Sequence, residues 1–99
     1  MAKYILTNKA VKDLTNIWNY TFDNWSEIQA DKYYKMLIKN CQIIAENPYT
    51  GKNYEAILTG LRGHKIGRHI IFYSIENENK ILIIRILHEN MDLKNRIRE

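Results

Sequence analysis

Hydrophobic positions change their period along this chain, and each change marks an element. Tyr4-Ile5-Leu6 is a short apolar run that predicts a strand. Thr7 then stands as an N-cap whose hydroxyl can accept from the free amides of a first turn, so a helix is expected from Asn8. Ala10, Val11, Leu14, Ile17, Trp18, Thr21 and Trp25 recur at helical spacing, with Lys9, Lys12, Asp13, Asn16, Asn19 and Asp23 between them. The pattern assigns the first set to a buried stripe and the second to solvent. Ser26, with Gln29 three residues on, reads as a capping box that starts a second helix almost at once. Its stripe is Ala30, Tyr33, Tyr34, Leu37, Cys41, Ile44 and Ala45. Asn47-Pro48 ends it, because proline disfavours the helical conformation in the residue before it. The result is an αα-hairpin with a very short joint.

Tyr49 to Gly60 shows no period and reads as a surface loop that returns the chain to a sheet. Three strand-like runs follow, Leu61 to Ile66, Arg68 to Glu76 and Lys80 to His88, with turns at Gly67 and at Asn77-Glu78-Asn79. Connections this short demand antiparallel neighbours, which makes the second half a β-meander. In the last run, strict alternation puts Leu82, Ile84 and Ile86 on one face and Ile81, Ile83 and Leu87 on the other. Both faces are therefore apolar, as in a central strand covered on both sides, or covered on one and completed by a partner. The N-terminal strand is expected to pair with it. The expectation is an α+β fold over residues 1–99 as a single domain: N-terminal strand, αα-hairpin, then antiparallel meander, with four strands in one small sheet.

Composition narrows the chemistry. A 45% apolar fraction with seven tyrosines and two tryptophans is globular usage and excludes disorder over most of the length. No apolar run approaches the ~18 residues of a membrane span, and no signal-peptide core is visible, which predicts a cytoplasmic protein. Cys41 is the only cysteine, so an intramolecular disulfide and a paired-thiolate zinc site are excluded. In the stripe of the second helix it reads as a small buried hydrophobe. His64, His69 and His88 show no metal-ligand spacing with carboxylates, and no metal or cofactor is expected.

The net charge of +4 lies mainly in the second half, which carries nine basic and six acidic residues from Gly51 on, against six and five before it. A partner of negative potential would be felt there. No glycine-rich phosphate loop, His-Glu-x-x-His or nucleophile motif is present. What stands out is Arg62, Arg68, Arg85 and His88, with Lys52 and Lys65 close by, all on or beside the expected sheet. Such a set could hold a phosphate and shuttle a proton, as a metal-free ribonuclease requires. The alternative is structural: Arg85 pairs with Asp92 or Glu89, and His88 caps the strand end. Tyr33, Tyr34, Trp18 and Trp25 follow helical stripes and are read as core packing rather than as a stacking platform for bases, and Trp18, Trp25, Tyr33 and Leu37 as core rather than ligand contacts.

The patterns Tyr4-x-Leu6-Thr7-x-x-Ala10-x-x-Asp13-Leu14-x-x-Ile17-x-x-Tyr20, Gln29-Ala30-x-x-Tyr33 with Trp25 before it, and Ala45-Glu46-Asn47-Pro48-x-x-Gly51 closely resemble the ParE toxins of bacterial type II toxin-antitoxin modules. Gly60-Leu61-Arg62, His69-x-Ile71-Phe72-Tyr73 and Ile84-Arg85-Ile86-Leu87-His88-x-x-Met91-Asp92 extend the resemblance to Asp92. It implies the RelE/ParE fold and a partner, a ParD-like antitoxin whose disordered C-terminal segment wraps the toxin. The residues offered for that contact are Arg62, Arg68, Phe72, Tyr73 and Arg85. It also implies a non-enzymatic protein that inhibits DNA gyrase, with direct nucleic-acid binding not expected. The sister RelE-like branch cuts messenger RNA on the ribosome, and Arg62, Arg85 and His88 can be mapped onto its catalytic positions. Asn90, Met91 and Asp92 follow, however, where a nuclease would carry a tyrosine or further base, so the resemblance favours ParE. A non-toxic or inert binding module of the same fold is the third reading.

Overall fold

The computed structural model describes residues 2–99. β1 (Lys3–Leu6) leads through Thr7 into α1 (Asn8–Asn24), and α2 (Glu27–Glu46) follows after two residues. Both helices start where their caps predict. The Thr7 hydroxyl accepts from the Ala10 amide at 3.0 Å, and the Ser26 hydroxyl accepts from the Gln29 amide at 3.0 Å. α2 stops at Glu46, ahead of Pro48.

The interval expected to be a loop holds a 3-10 turn (Pro48–Thr50) and a two-residue strand, β2 (Lys52–Asn53). Then come β3 (Arg62–Ile66), β4 (His69–Asn77) and β5 (Lys80–His88), joined by the two expected turns. The sheet therefore has five strands rather than four, in the order β1-β5-β4-β3-β2. β1 lies parallel to β5, and the remaining pairs are antiparallel. A third helix, α3 (Leu93–Arg98), which hydrophobic period did not predict, is N-capped by Asp92 through the Asn95 amide.

The helical hairpin covers one face of the sheet. Ala10, Leu14, Leu37, Cys41, Ile44 and Ala45 pack there against Ile71, Tyr73, Ile81, Ile83 and Ile86. On the opposite face Leu61, Ile70, Phe72 and Leu87 form a second cluster, covered by Tyr54 and Ile57 of the loop and by Leu93 and Ile97 of α3. Of the two arrangements the apolar faces allowed, cover on both sides within the chain is the one found. Burial pushes the Cys41 thiol up to about 12, which makes it an inert core group.

β5 does not alternate strictly. Phe72 lies opposite Arg85 and Tyr73 opposite Ile83, so Ile84 is an extra residue in a β-bulge. The bulge shifts the phase. Ile86 joins Ile81 and Ile83 under the helices, while Ile84 joins Leu87 on the other face, unlike the expected sets. Several stripe residues also depart from expectation. Trp25, at the end of α1, is 75% exposed, and Val11 and Tyr34 are exposed as well. Trp18 is half-buried, stacked on Phe22 with its indole N–H donating to Asp31 at 3.0 Å.

Asp13 departs most from expectation. Three residues after Ala10 and four before Ile17, it lies on the buried face of α1 and is 8% exposed. β1 pairs with β5 only as far as Ile83, so the rest of that strand edge has no neighbouring strand. Side chains satisfy it instead. Thr7 donates its hydroxyl to the Ile84 carbonyl at 2.7 Å, and Asp13 Oδ2 accepts from the Ile86 amide at 3.0 Å. The same carboxylate takes Arg85 Nε at 2.8 Å and Nη2 at 3.0 Å, a two-point ion pair. Arg85 therefore pairs with Asp13, 72 residues away, and not with Asp92 or Glu89. Its remaining donor reaches the Arg96 carbonyl of α3 at 2.8 Å and Glu99 at 3.3 Å.

Two stability experiments follow from this packing. Leu37→Ala, at a fully buried position, should lose about 2 to 5 kcal/mol in urea unfolding, whereas Trp25→Ala should shift stability by about 0.5 kcal/mol or less. Asp13→Ala strips Arg85 of its buried two-point partner, leaving only the half-exposed Glu99 beside it, and should cost about 3 kcal/mol. An unchanged urea midpoint in Asp13→Ala would remove the pair from its structural role.

Candidate functional site

The candidate site lies where the joint of the helical hairpin overhangs one end of the sheet. β4 begins and β5 ends there, and the ladder sets His69 directly opposite His88. The two rings meet edge to face with centroids 5.3 Å apart. Gly67 makes the turn into β4 at φ +59°, a conformation that favours glycine. A Cβ at Gly67 would also stand 2.7 Å from the Tyr33 hydroxyl, so Tyr33 of α2 can reach over the turn only because the residue is glycine. That hydroxyl accepts from the Arg68 amide at 3.1 Å and sits 2.6 Å from His69 Nδ1.

Around this pair opens a groove of about 450 Å³, lined by Tyr20, Thr21 and Trp25 of the first helix end, Gln29 and Tyr33 of the second, and Arg68, His69 and His88. It continues past Thr21, His69 and His88 to Ile17 and Met91. Trp25, Tyr20 and Met91 are exposed apolar groups gathered at this one place. At the rim Glu89 binds Lys65 at 2.9 Å and Arg68 at 3.5 Å. These cations, Lys65 foremost, hold its carboxyl below the usual range.

Burial, and then the neighbouring His88, depress His69 to about 4. At neutral pH it is an uncharged imidazole. His88 accepts the Asn90 amide on Nδ1 at 3.1 Å and so ends its strand as a capping group, one of the roles read from the sequence.

The other residues singled out from the sequence do not converge here. Arg62 lies opposite Tyr73 on the ladder, whereas Ile66 lies opposite His69. The four-residue offset is about 13 Å of strand. Arg62 donates instead to the carbonyls of Tyr49 and Gly51, at 3.2 and 3.0 Å. Tyr73 holds the same segment. Its hydroxyl donates to the Pro48 carbonyl at 2.6 Å and accepts from the Gly51 amide at 3.1 Å. Phe72 and Tyr73 are fully buried and Arg85 is 8% exposed, so of the five residues offered for antitoxin contact these three present no surface in the isolated chain. Arg62, Arg85 and His88 are not assembled into one phosphate site. Among the described residues no cluster of three or more His, Cys, Asp or Glu is placed to hold a metal ion, and no helix is long and apolar enough to cross a membrane.

Sequence reasoning missed the Tyr33–His69 contact and the open position of Trp25. Arg68-His69 directly after Gly67 was the available signal, since a glycine turn lets a side chain from elsewhere approach the backbone.

A strand, a helical hairpin and a mostly antiparallel sheet, with an open, largely apolar groove beside paired histidines, define a small α+β protein. Comparison with known proteins gives it a family. The model of the ParE toxin of type II toxin-antitoxin system, parDE, matches residues 4–93. Toxin ParE1 of Mycobacterium tuberculosis is 34% identical over 92 residues, covering 93% of this chain and 94% of that protein. Toxin ParE1 of Caulobacter vibrioides is 34% identical over 94 residues, covering 95% and 96%. Toxin ParE of Escherichia coli is 31% identical over 97 residues, covering 98% and 94%. A structure of the chromosomal ParDE TA system from P. aeruginosa superposes with a TM-score of 0.74 at 18% identity, covering 89% of this chain and 96% of that one, which supports the fold. The chain belongs to the ParE toxin family, as the toxin of a ParDE toxin-antitoxin system.

The depressed His69 makes stability depend on pH. An unfolded chain takes up this proton near pH 6.5, whereas the folded one resists it until about 4. The contribution is complete above about 6.5 and is lost progressively as the pH falls from there to about 4. In His69→Gln the fall of the urea midpoint across this window should be shallower than in the native protein. Parallel profiles would show that His69 is not held neutral by the fold.

Proposed function

We propose that this protein arrests growth by inhibiting DNA gyrase, that it does so by binding rather than by catalysis, and that a ParD-like antitoxin neutralises it in the cytoplasm. The family match across residues 4–93 carries this reading. The geometry supports its second part. A ribosome-dependent nuclease of the RelE type needs free cations beside its proton-transfer group to hold the phosphate and its developing charge. Here Arg85 is committed to Asp13 and Arg62 to two backbone carbonyls at the other end of the sheet. Asp92, the acid that follows His88, is committed to capping α3.

The one observation on the side of the RelE-like reading is the pair His69 and His88, two imidazoles in contact at a groove. Activity assays separate the two. In a purified supercoiling reaction the protein should suppress gyrase or trap cleaved DNA, the antitoxin should relieve this, and ribosomes programmed with messenger RNA should return intact transcript. Codon-dependent cleavage that disappears in His88→Ala, with supercoiling unaffected, would replace the gyrase reading with the nuclease one. Arg85→Ala is unsuited to this purpose, since it strips Asp13 of its partner.

A further inference from the structure

Both histidines of the groove engage Nδ1 in a hydrogen bond within the chain. The Asn90 amide can only donate, so His88 Nδ1 is an acceptor and the ring proton sits on Nε2. At His69 the Tyr33 hydroxyl accepts the Arg68 amide and lies 2.6 Å from Nδ1; donating its own proton to Nδ1 puts the ring proton on Nε2 there as well. Neither Nε2 is hydrogen-bonded within the described chain. Among the described residues no buried side-chain nitrogen lacks a partner, so both Nε2–H groups have access to solvent. Two donors thus stand side by side in a groove whose other walls are the exposed Tyr20, Trp25 and Met91, with the Arg68 guanidinium at its rim.

We infer that this groove is a recognition pocket for a segment of a partner protein that presents a carboxylate beside a bulky apolar side chain. The His69 and His88 Nε2–H groups take the carboxylate, and Tyr20, Trp25 and Met91 take the apolar group. Charge complementarity selects this occupant. Two donors and one guanidinium match a carboxylate, while a nucleic-acid backbone is read by rows of cations. Only one side-chain cation lines the groove, and it is shared with Glu89. The assignment of the segment to the antitoxin rests on the function proposed above, whereas the pocket's preference for a carboxylate does not.

The full chain can be tested with three probes: 3-phenylpropionate, its neutral amide, and inorganic phosphate. Long-range proton–nitrogen NMR of the imidazoles should show the proton on Nε2 in both rings. Phenylpropionate should move these signals and the Trp25 indole, with affinity about tenfold or more above that of the amide, the margin expected of charge-assisted hydrogen bonds. Trp25→Ala, at an exposed site, should weaken both organic probes, and His88→Ala should abolish the preference for the carboxylate. Equal binding of acid and amide, a proton on Nδ1 of either ring, or phosphate binding as tightly as phenylpropionate and indifferent to Trp25→Ala would each overturn the proposal.

The antitoxin, supplied as the protein encoded beside this one, should bind both variants at least tenfold more weakly. Equal affinity for the wild type and both variants overturns the proposal and leaves the toxin-antitoxin pairing standing. Failure to bind the wild type at all overturns the pairing, and the fragment series then decides the pocket by itself.

Discussion

Asp13 and Arg85 meet where the sheet would otherwise be unfinished. β1 is four residues long and β5 nine, and they pair only through Ile83. The exposed edge of β5 beyond that point would be a row of unpaired amides and carbonyls pressed against a helix, which is costly to bury and prone to pair with another chain when open. A carboxylate on the buried face of α1 answers this by accepting the Ile86 amide, and its negative charge then requires a cation. The bulge at Ile84 turns Arg85 to supply one. With its other donors on Arg96 and Glu99, Arg85 ties α1, β5 and α3 together. Removing either partner strands a charge, so the helix, the strand edge and the C-terminal cover depend on one another.

The arrangement also explains how the chain covers the second face of its own sheet. Leu93 and Ile97 are too few to hold α3 on the second face by burial alone, since each side chain contributes roughly 1.5 to 3 kcal/mol when fully buried. The hydrogen bond from Arg85 to the Arg96 carbonyl adds a fixed point, and Lys9 adds another by donating to the Glu99 carbonyl. A six-residue helix that would be marginal in isolation is thereby held over Phe72 and Leu87.

Local signals carried most of the architecture. Thr7, Ser26 and Pro48 set helix boundaries through hydrogen bonds made within a few residues, and the turns at Gly67 and Asn77 are equally local, so these elements are legible one residue after another. Asp13 is different. Its polarity placed it on the solvent face, whereas its spacing from Ala10 and Ile17 places it inside; the arginine that decides between the two is 72 residues away. Trp25 failed in the opposite sense, since helical spacing continues to the end of α1 although the sheet beneath it does not. The phase change in β5 was hidden as well, because an unbroken run of isoleucine and leucine alternates equally well in either register. The paired histidines were each visible in sequence, but their partners come from α2 and from the backbone after the strand, contacts that only the fold creates.

These departures divide the polar residues of the chain into two groups with different fates. Tyr73 and Arg85 turn their polar groups to carbonyls and a carboxylate within the chain, which ties the sheet to its neighbours and buries both side chains, and Arg62 adds two bonds from one of its nitrogens while staying half-exposed. Tyr33, His69 and His88 do the reverse. Their internal bonds occupy one side of each ring and thereby orient the other. The second kind bears on the binding proposed for this groove, because a surface gains affinity when its groups are already oriented before a partner arrives. The rotation of an imidazole, or an exchange of its tautomer, would otherwise have to be frozen on contact. Tyr33 holds the His69 ring and the Asn90 amide holds the His88 ring and its tautomer, and these contacts rest on the Gly67 turn and the end of β5, which the Asp13–Arg85 pair ties to α1.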